Sequence, residues 1–354
     1  MAKSSNWKQY VVYGLIALFV LSLVAPQIMD AISGMGSSNH KSSTITPKKA
    51  AAMLPTFSAD STYVFTERQV KFGPRVPNSP AHDNCRKWIV NTFKRFGADV
   101  TEQKFDATAY DGKVLHGTNI IARYNPTIAK RVVLSCHWDS RHVADHDADK
   151  KNQKKPILGA DDGGSTVGTL LEIARQLQAQ PIANMGVDII LFDLEDYGEP
   201  DDYKPGGDED AKSWCLGSQY WAAHPHAPNY SARFGINIDM AGAKNARFTR
   251  EASSMQAAPN IMNKVWKFAQ DQGFSNYFDD ELTGGLIDDH MYVNQILHTV
   301  PMIDIINRPA DTQTGFGHYW HTQKDDMSNI DKSTLFAVGT TLLGAVYNEA
   351  NDSF

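Results

Sequence analysis

Cysteine is scarce in this chain: Cys85, Cys136 and Cys215 are the three among 354 residues. They allow one disulfide at most, and their spacing fits neither a zinc finger nor a redox pair, so the fold does not depend on sulfur staples. An excess of basic charge is missing as well. Lys and Arg number 34 against 40 Asp and Glu, a formal charge of −6. That balance excludes a nucleic-acid binder, which needs a basic face. Apolar residues are not lacking. With 42% hydrophobic and 10% aromatic residues the chain can bury a sizeable core, which excludes global disorder. Its length suits one large domain or two modest ones.

Long apolar runs are absent with one exception. Lys3 and Lys8 precede YVVYGLIALFVLSLVAPQIM, residues 10–29, long enough for a signal segment and at the lower limit of a membrane span. A buried helix of a globular domain would show a polar face, and this run has none. Residues 1–30 are therefore expected to be a signal peptide or signal anchor, with residues 10–29 anchoring the chain if uncleaved. Residues 31–55, rich in Ser, Lys and Ala, read as a linker. The remaining 56–354 are expected to work outside the cytoplasm, in the periplasm or at a membrane facing it.

Within 56–354, helical and strand patterns alternate without an internal repeat. NCRKWIVNTFKRF sets Trp88, Ile89, Thr92, Phe93 and Phe96 along one helical stripe, and STVGTLLEIARQLQ does the same with Val167, Leu170, Leu171, Ala174 and Leu177. PNIMNKVWKFAQDQG predicts a helix stopped at Gly273, and DKSTLFAVGTTLLGAVYNEA a closing helix. RVVLSC, VDIILFDL, FGINIDM and VPMIDII are short continuous apolar runs. Such runs suit strands buried on both faces. The predicted architecture is a single α/β domain, with a mostly parallel mixed sheet covered by helices on both faces.

In such sheets, sites form beyond the carboxyl ends of the strands. There LSCHWDS brings His137 and Asp139, GADDGGS brings Asp161 and Asp162, and LFDLEDYGE brings Glu195 and Asp196. NIDMAG brings Asp239, IDDH brings Asp288, Asp289 and His290, and YWHT brings His321. Each alone has an ordinary explanation, as a helix start, a solvated turn or a surface histidine. Together they place many acids at one sheet edge, where bare carboxylates repel. A divalent cation removes the repulsion, and nitrogen with oxygen ligands without cysteine points to catalytic zinc with an open position. Neighbours at a strand end face opposite ways, so of Glu195 and Asp196 one can bind metal while the other shuttles protons. The acidic stretches 142–155 and 195–212, apart from that pair, read as solvated loops bordering the site.

The order of these motifs resembles that of the zinc-dependent glutaminyl-peptide cyclotransferases, bacterial branch, relatives of the zinc aminopeptidases. VKFGPRVPNSPAHDNCRKWI, TNIIARYNPTIAKRVVLSCHWDSR, GADDGGSTVGTLLEIARQL, GGLIDDH and WHTQKDD carry the likeness. It implies one zinc per chain held by Asp162, Asp196 and His321, with Glu195 as proton-transfer acid/base. It implies Asp239 and Asp288 as carboxylates hydrogen-bonded around the site, Trp320 as a wall of the substrate pocket and Trp214 as a lid aromatic. The implied substrates are peptides or proteins with N-terminal glutamine. The chain departs from the animal pattern in four places: Asp196 replaces Glu, Asp304 replaces His, Val167 replaces the cysteine that would bridge to Cys136, and GGLIDDH is one residue shorter. Two alternatives stand beside this reading. A two-zinc aminopeptidase would use His137, Asp162, Asp196, Asp239 and His321, and a receptor ectodomain would keep the fold without chemistry.

Overall fold

The four apolar runs become the parallel part of one sheet. The computed structural model describes residues 54–200, 203 and 210–354. The expected signal segment, the linker as far as residue 53, and positions 201–202 and 204–209 of the second acidic stretch lie outside the described residues. β1 (Asp99–Thr108) and β2 (Val114–Tyr124) form an antiparallel edge, followed by β3 (Arg131–His137), β4 (Gly186–Phe192), β5 (Gly235–Asp239) and β8 (Met302–Ile306). The strand order is β1-β2-β4-β3-β5-β8. β2 joins β4 antiparallel, whereas β3 runs parallel to both β4 and β5, and β5 parallel to β8. The edge hairpin is what the run-based reading missed. β1 reads DVTEQKFDAT and is largely exposed, as an edge strand is, so it shows no apolar run to detect.

Successive strand residues point to opposite faces, and both faces are filled. Ile189 and Leu191 join the larger core with Val132, Leu134 and Ile236. Ile190 and Phe192 meet Val133, Trp221 and Val293 on the other side. The larger core is closed by α2 (Pro80–Arg95), α3 (Thr166–Ala179), α6 (Pro259–Asp271) and α8 (Lys332–Ala350). The smaller is closed by α4 (Leu216–Ala223) and α7 (Asp289–Ile296). Helices on both faces of a mostly parallel mixed sheet are the expected architecture. A separate parallel ribbon pairs β6 (Phe248–Glu251) with β7 (Phe278–Thr283), and the short α5 (Ala252–Ala257) follows β6.

Local signals explain the helix limits. Ser79 caps α2 by accepting from the His82 N–H, and Pro80 opens it. α6 ends just before Gly273, whose φ is +87°, in the left-handed conformation that glycine tolerates. α3 is buried well beyond its predicted stripe, because α1 (Ala59–Val70) lies against its outer side. A Cβ on Gly168 would come within 2.4 Å of Thr66 Oγ1, so this glycine sets the helix separation. Among the described residues no helix is long and apolar enough to cross a membrane.

Candidate active site

The carboxyl ends of the central strands converge on one cluster. His137 is the last residue of β3 and Asp239 the last of β5. Asp162 sits in a wide turn, Ala160–Ser165, where it leaves helical geometry (ψ 97°) and Gly163 takes φ +81°. A Cβ on Gly163 would stand 2.9 Å from both the Asp139 carbonyl oxygen and the His137 ring, so the turn can pass the histidine only with glycine there. Asp325 fixes this turn from below. Its buried carboxylate accepts the N–H groups of Asp161 at 2.9 Å and Asp162 at 3.2 Å. Asp161 faces away and is an anchor, accepting from the Gly242 N–H, Ser165 Oγ and Tyr319 Oη. Asp288 is the N-cap of α7. His321 lies in the loop beyond β8 with φ +53°, a conformation that non-glycine residues rarely adopt.

Glu195 and Asp196 are not on a strand end, as the sequence suggested. β4 stops at Phe192, and Leu194 turns the chain through φ +59°. Asp139 then receives both following N–H groups, from Glu195 at 3.2 Å and Asp196 at 3.1 Å. Asp139 is thus a peg that aims the pair, not a member of the ligand set. Strand alternation cannot apply here; a buried carboxylate does the orienting.

Asp162, Asp196 and His321 offer ligand atoms that all lie within 4.8 Å of one another. His321 Nε2 is 3.3 Å from Asp196 Oδ1 and 3.9 Å from Asp162 Oδ2. Ligands about 2.0–2.1 Å from a tetrahedral zinc stand roughly 3.3–3.4 Å apart, so the spacing fits. Both carboxylate oxygens of Asp196 are buried without a hydrogen bond, which calls for a cation in a folded protein. Burial, reinforced by Arg141, depresses His321 to about 3, and a neutral imidazole is the form that ligates. His137 Nε2 stands 3.0 Å from Asp162 Oδ1 and 3.2 Å from Asp239 Oδ1. That second group is also close enough to hold a metal.

The acids around the cluster are strongly perturbed. Burial holds Glu195 well above the ordinary glutamate range, Asp196, Asp289 and Asp288 push the same way, and His137 opposes them. Burial likewise pushes Asp239 up to about 7 against the pull of His137. A carboxyl poised near neutrality suits proton transfer. Ligand-type atoms of Glu195, Cys215 and Asp288 lie within 4.8 Å of one another, and the Cys215 thiol donates to Glu195 Oε1 at 3.4 Å. Behind Asp288, Asn237 Nδ2 donates to Asp288 Oδ2 at 3.2 Å and to Asp304 Oδ1 at 3.3 Å. His290 Nδ1 lies 3.8 Å from each of these two carboxyl groups, while Nε2 pairs with Glu251 at 2.9 Å. All three cysteines are free and buried.

A cavity of about 170 Å³ opens onto the cluster, lined by Glu195, Asp288, Trp214, Phe316, Trp320 and His321 among others. That is below the roughly 300–1,000 Å³ of sites for drug-sized ligands. It suits one amino-acid side chain. His321 is flanked by two indoles: Trp320 stacks at 3.7 Å between centroids, and Trp214 lies parallel to it at 6.1 Å. The residues assigned roles by the resemblance, from Asp162 to His321, all line this cavity, whereas Asp161 faces away from it. The stretch 142–155 departs from its solvated reading, because the Asp145 side chain is held against Arg141 and His321 with only 8% of it exposed. A run of acids and lysines conceals two carboxylates drawn inward, Asp145 and the buried Asp147, beside the exposed Asp149, and Arg141, following directly on CHWDS, was the available signal for Asp145.

Residues 119–346 match the model of peptidase family M28. The chain belongs to that family, and within it to the glutaminyl cyclases. It is 52% identical to the glutaminyl cyclase of Tannerella forsythia, over 83% of this chain and 99% of that one, with a TM-score of 0.78. It is 49% identical to a zinc-dependent exopeptidase from Parabacteroides distasonis, with the same coverage of both chains and a TM-score of 0.81. Bovine glutaminyl-peptide cyclotransferase is 25% identical over 291 residues, 74% of each chain. The M28 match spans the strands, turns and loops that supply the cluster, from Asn119 beside β4 to the closing helix.

Proposed function

We propose that the chain converts the N-terminal glutamine of peptides and proteins to pyroglutamate with release of ammonia, using one zinc ion held by Asp162, Asp196 and His321. One observation carries this reading: a metal-competent cluster shares a small, aromatic-walled cavity with the carboxyl pair of half-buried Glu195 and buried Asp288. When bound, zinc polarises the side-chain carbonyl and stabilises the negative charge that develops on its oxygen. The chain's own residues do the rest. The cavity between Trp320, Trp214 and Phe316 holds the glutamine side chain curled towards its own amine and excludes water. Attack within one residue sacrifices little translational freedom, so orientation accounts for much of the rate. Asp288 accepts a hydrogen bond from the α-amine. Glu195 takes a proton as that nitrogen bonds to the side-chain carbonyl carbon, and returns it to the departing amide nitrogen, which leaves as ammonia. Asp239, held at His137, borders the cluster and spreads its charge.

A second reading has a specific observation behind it. His137, Asp162 and Asp239 form an adjoining metal-competent group, as a two-zinc aminopeptidase would require. Elemental analysis of the purified chain separates the two. One tightly held zinc per chain is expected; two would favour the peptidase. The apolar N-terminal run further supports placing the protein outside the cytoplasm, exported or anchored through residues 10–29.

A further inference from the structure

The resemblance that named the cluster assigns nothing to the residues behind His321. Its imidazole Nδ1 faces Asp145 Oδ1 at 3.4 Å, just beyond ordinary hydrogen-bond length. Its backbone carbonyl accepts from the His146 N–H at 3.2 Å. One short segment therefore holds the histidine by both ring and main chain. Asp145 is in turn gripped by Arg141 through both guanidinium arms, Nε to Oδ1 at 2.8 Å and Nη2 to Oδ2 at 2.6 Å. Arg141 is 1% exposed and spends its remaining donors on the loop that carries a second ligand, Asp196. It donates to the carbonyls of Asp196 at 3.2 Å, Gly198 at 3.3 Å and Glu199 at 3.3 Å. Its guanidinium also lies 4.6 Å from the ring centroid of Trp214.

We infer that Arg141 and Asp145 are positioning residues of the metal centre, fixing the ring of His321 and the loop of Asp196 relative to each other and supporting the Trp214 wall. A planar, bidentate fork transmits position as a single ammonium could not. A carboxylate behind a ligating histidine fixes its tautomer and orientation, and loss of such a partner typically weakens metal binding about 10–100-fold. The inference rests on the proposed zinc site.

The test is zinc affinity of the full chain, measured by competition with a chromophoric chelator for the wild type, Asp145→Asn and Asp188→Asn. Asp188 is the control because it forms a buried ion pair with Arg131 at the start of β3, at 2.7 Å, away from the cluster. Asp145→Asn is expected to bind zinc about 10–100-fold more weakly while Asp188→Asn matches the wild type. If Asp145→Asn does not fold by circular dichroism, Arg141→Lys carries the test, since it keeps the charge and loses the fork; weakened binding is again expected. Unchanged affinity in the folded variant overturns the inference, and so does an equal loss in Asp188→Asn. A wild-type chain that holds no zinc contradicts the proposed function instead.

Discussion

Glu195→Gln is expected to lower kcat for a glutamine-initiated peptide by about 10²–10⁴-fold, the contribution of a positioned general acid–base. The variant should retain its zinc, because Glu195 stands beside the three proposed ligands and not among them. The amide matches the carboxyl in shape but cannot take up the proton of the attacking amine. Two features make this residue the one to lose most. It lines the cavity, and its ligand-type atom lies within 4.8 Å of that of Asp288, the proposed amine partner. The environment also sets a sign for pH dependence. Burial keeps the carboxyl protonated to higher pH than usual, and the proton-accepting form is the ionised one. Wild-type kcat/KM should therefore fall on acidification with a midpoint above the roughly 4.3 of an ordinary glutamate. A rate near that of the wild type in Glu195→Gln removes the residue from the mechanism.

Removal of the metal is expected to cost at least as much. A polarising cation contributes several kcal/mol to stabilising the developing oxyanion, about 10³-fold in rate or more. Dialysis against a strong chelator should abolish turnover, and restoring zinc should recover it. His321→Ala should show the same loss without recovery at ordinary zinc concentrations. The fold should survive both treatments. Asp162 is held by Asp325, and Asp196 by Asp139, through main-chain hydrogen bonds that do not involve a cation. Stripped protein with a wild-type circular dichroism spectrum and no activity is the expected pairing; chelation that leaves activity intact would exclude zinc from the reaction.

The sequence was most legible where burial is complete. The parallel part of the sheet could be read from RVVLSC, VDIILFDL, FGINIDM and VPMIDII because strands covered on both faces keep no polar alternation. The rule that sites collect at carboxyl ends then found His137 and Asp239 without further help. What escaped depended on contacts between distant segments. β1 is polar because it is an edge, so its pairing with β2 left little pattern in DVTEQKFDAT. Glu195 and Asp196 are aimed by Asp139, a residue 56 positions away from Glu195, and no local period encodes that. Asp145 cannot be told in sequence from the exposed Asp149 until Arg141 and His321 close over it. Asp325, the buried clamp under the ligand loop, acts on Asp161 and Asp162 across more than 160 positions. Charge in a sequence shows its density and not its depth.

The reading depends on what leaves when the chain meets a peptide that begins with glutamine. The decisive measurement incubates the purified chain with such a peptide and quantifies ammonia and free amino acid together. One ammonia for each peptide consumed, a blocked N-terminus and no free glutamine are the expected result. Free glutamine released with a shortened peptide, and no ammonia, would contradict it and make the chain an aminopeptidase.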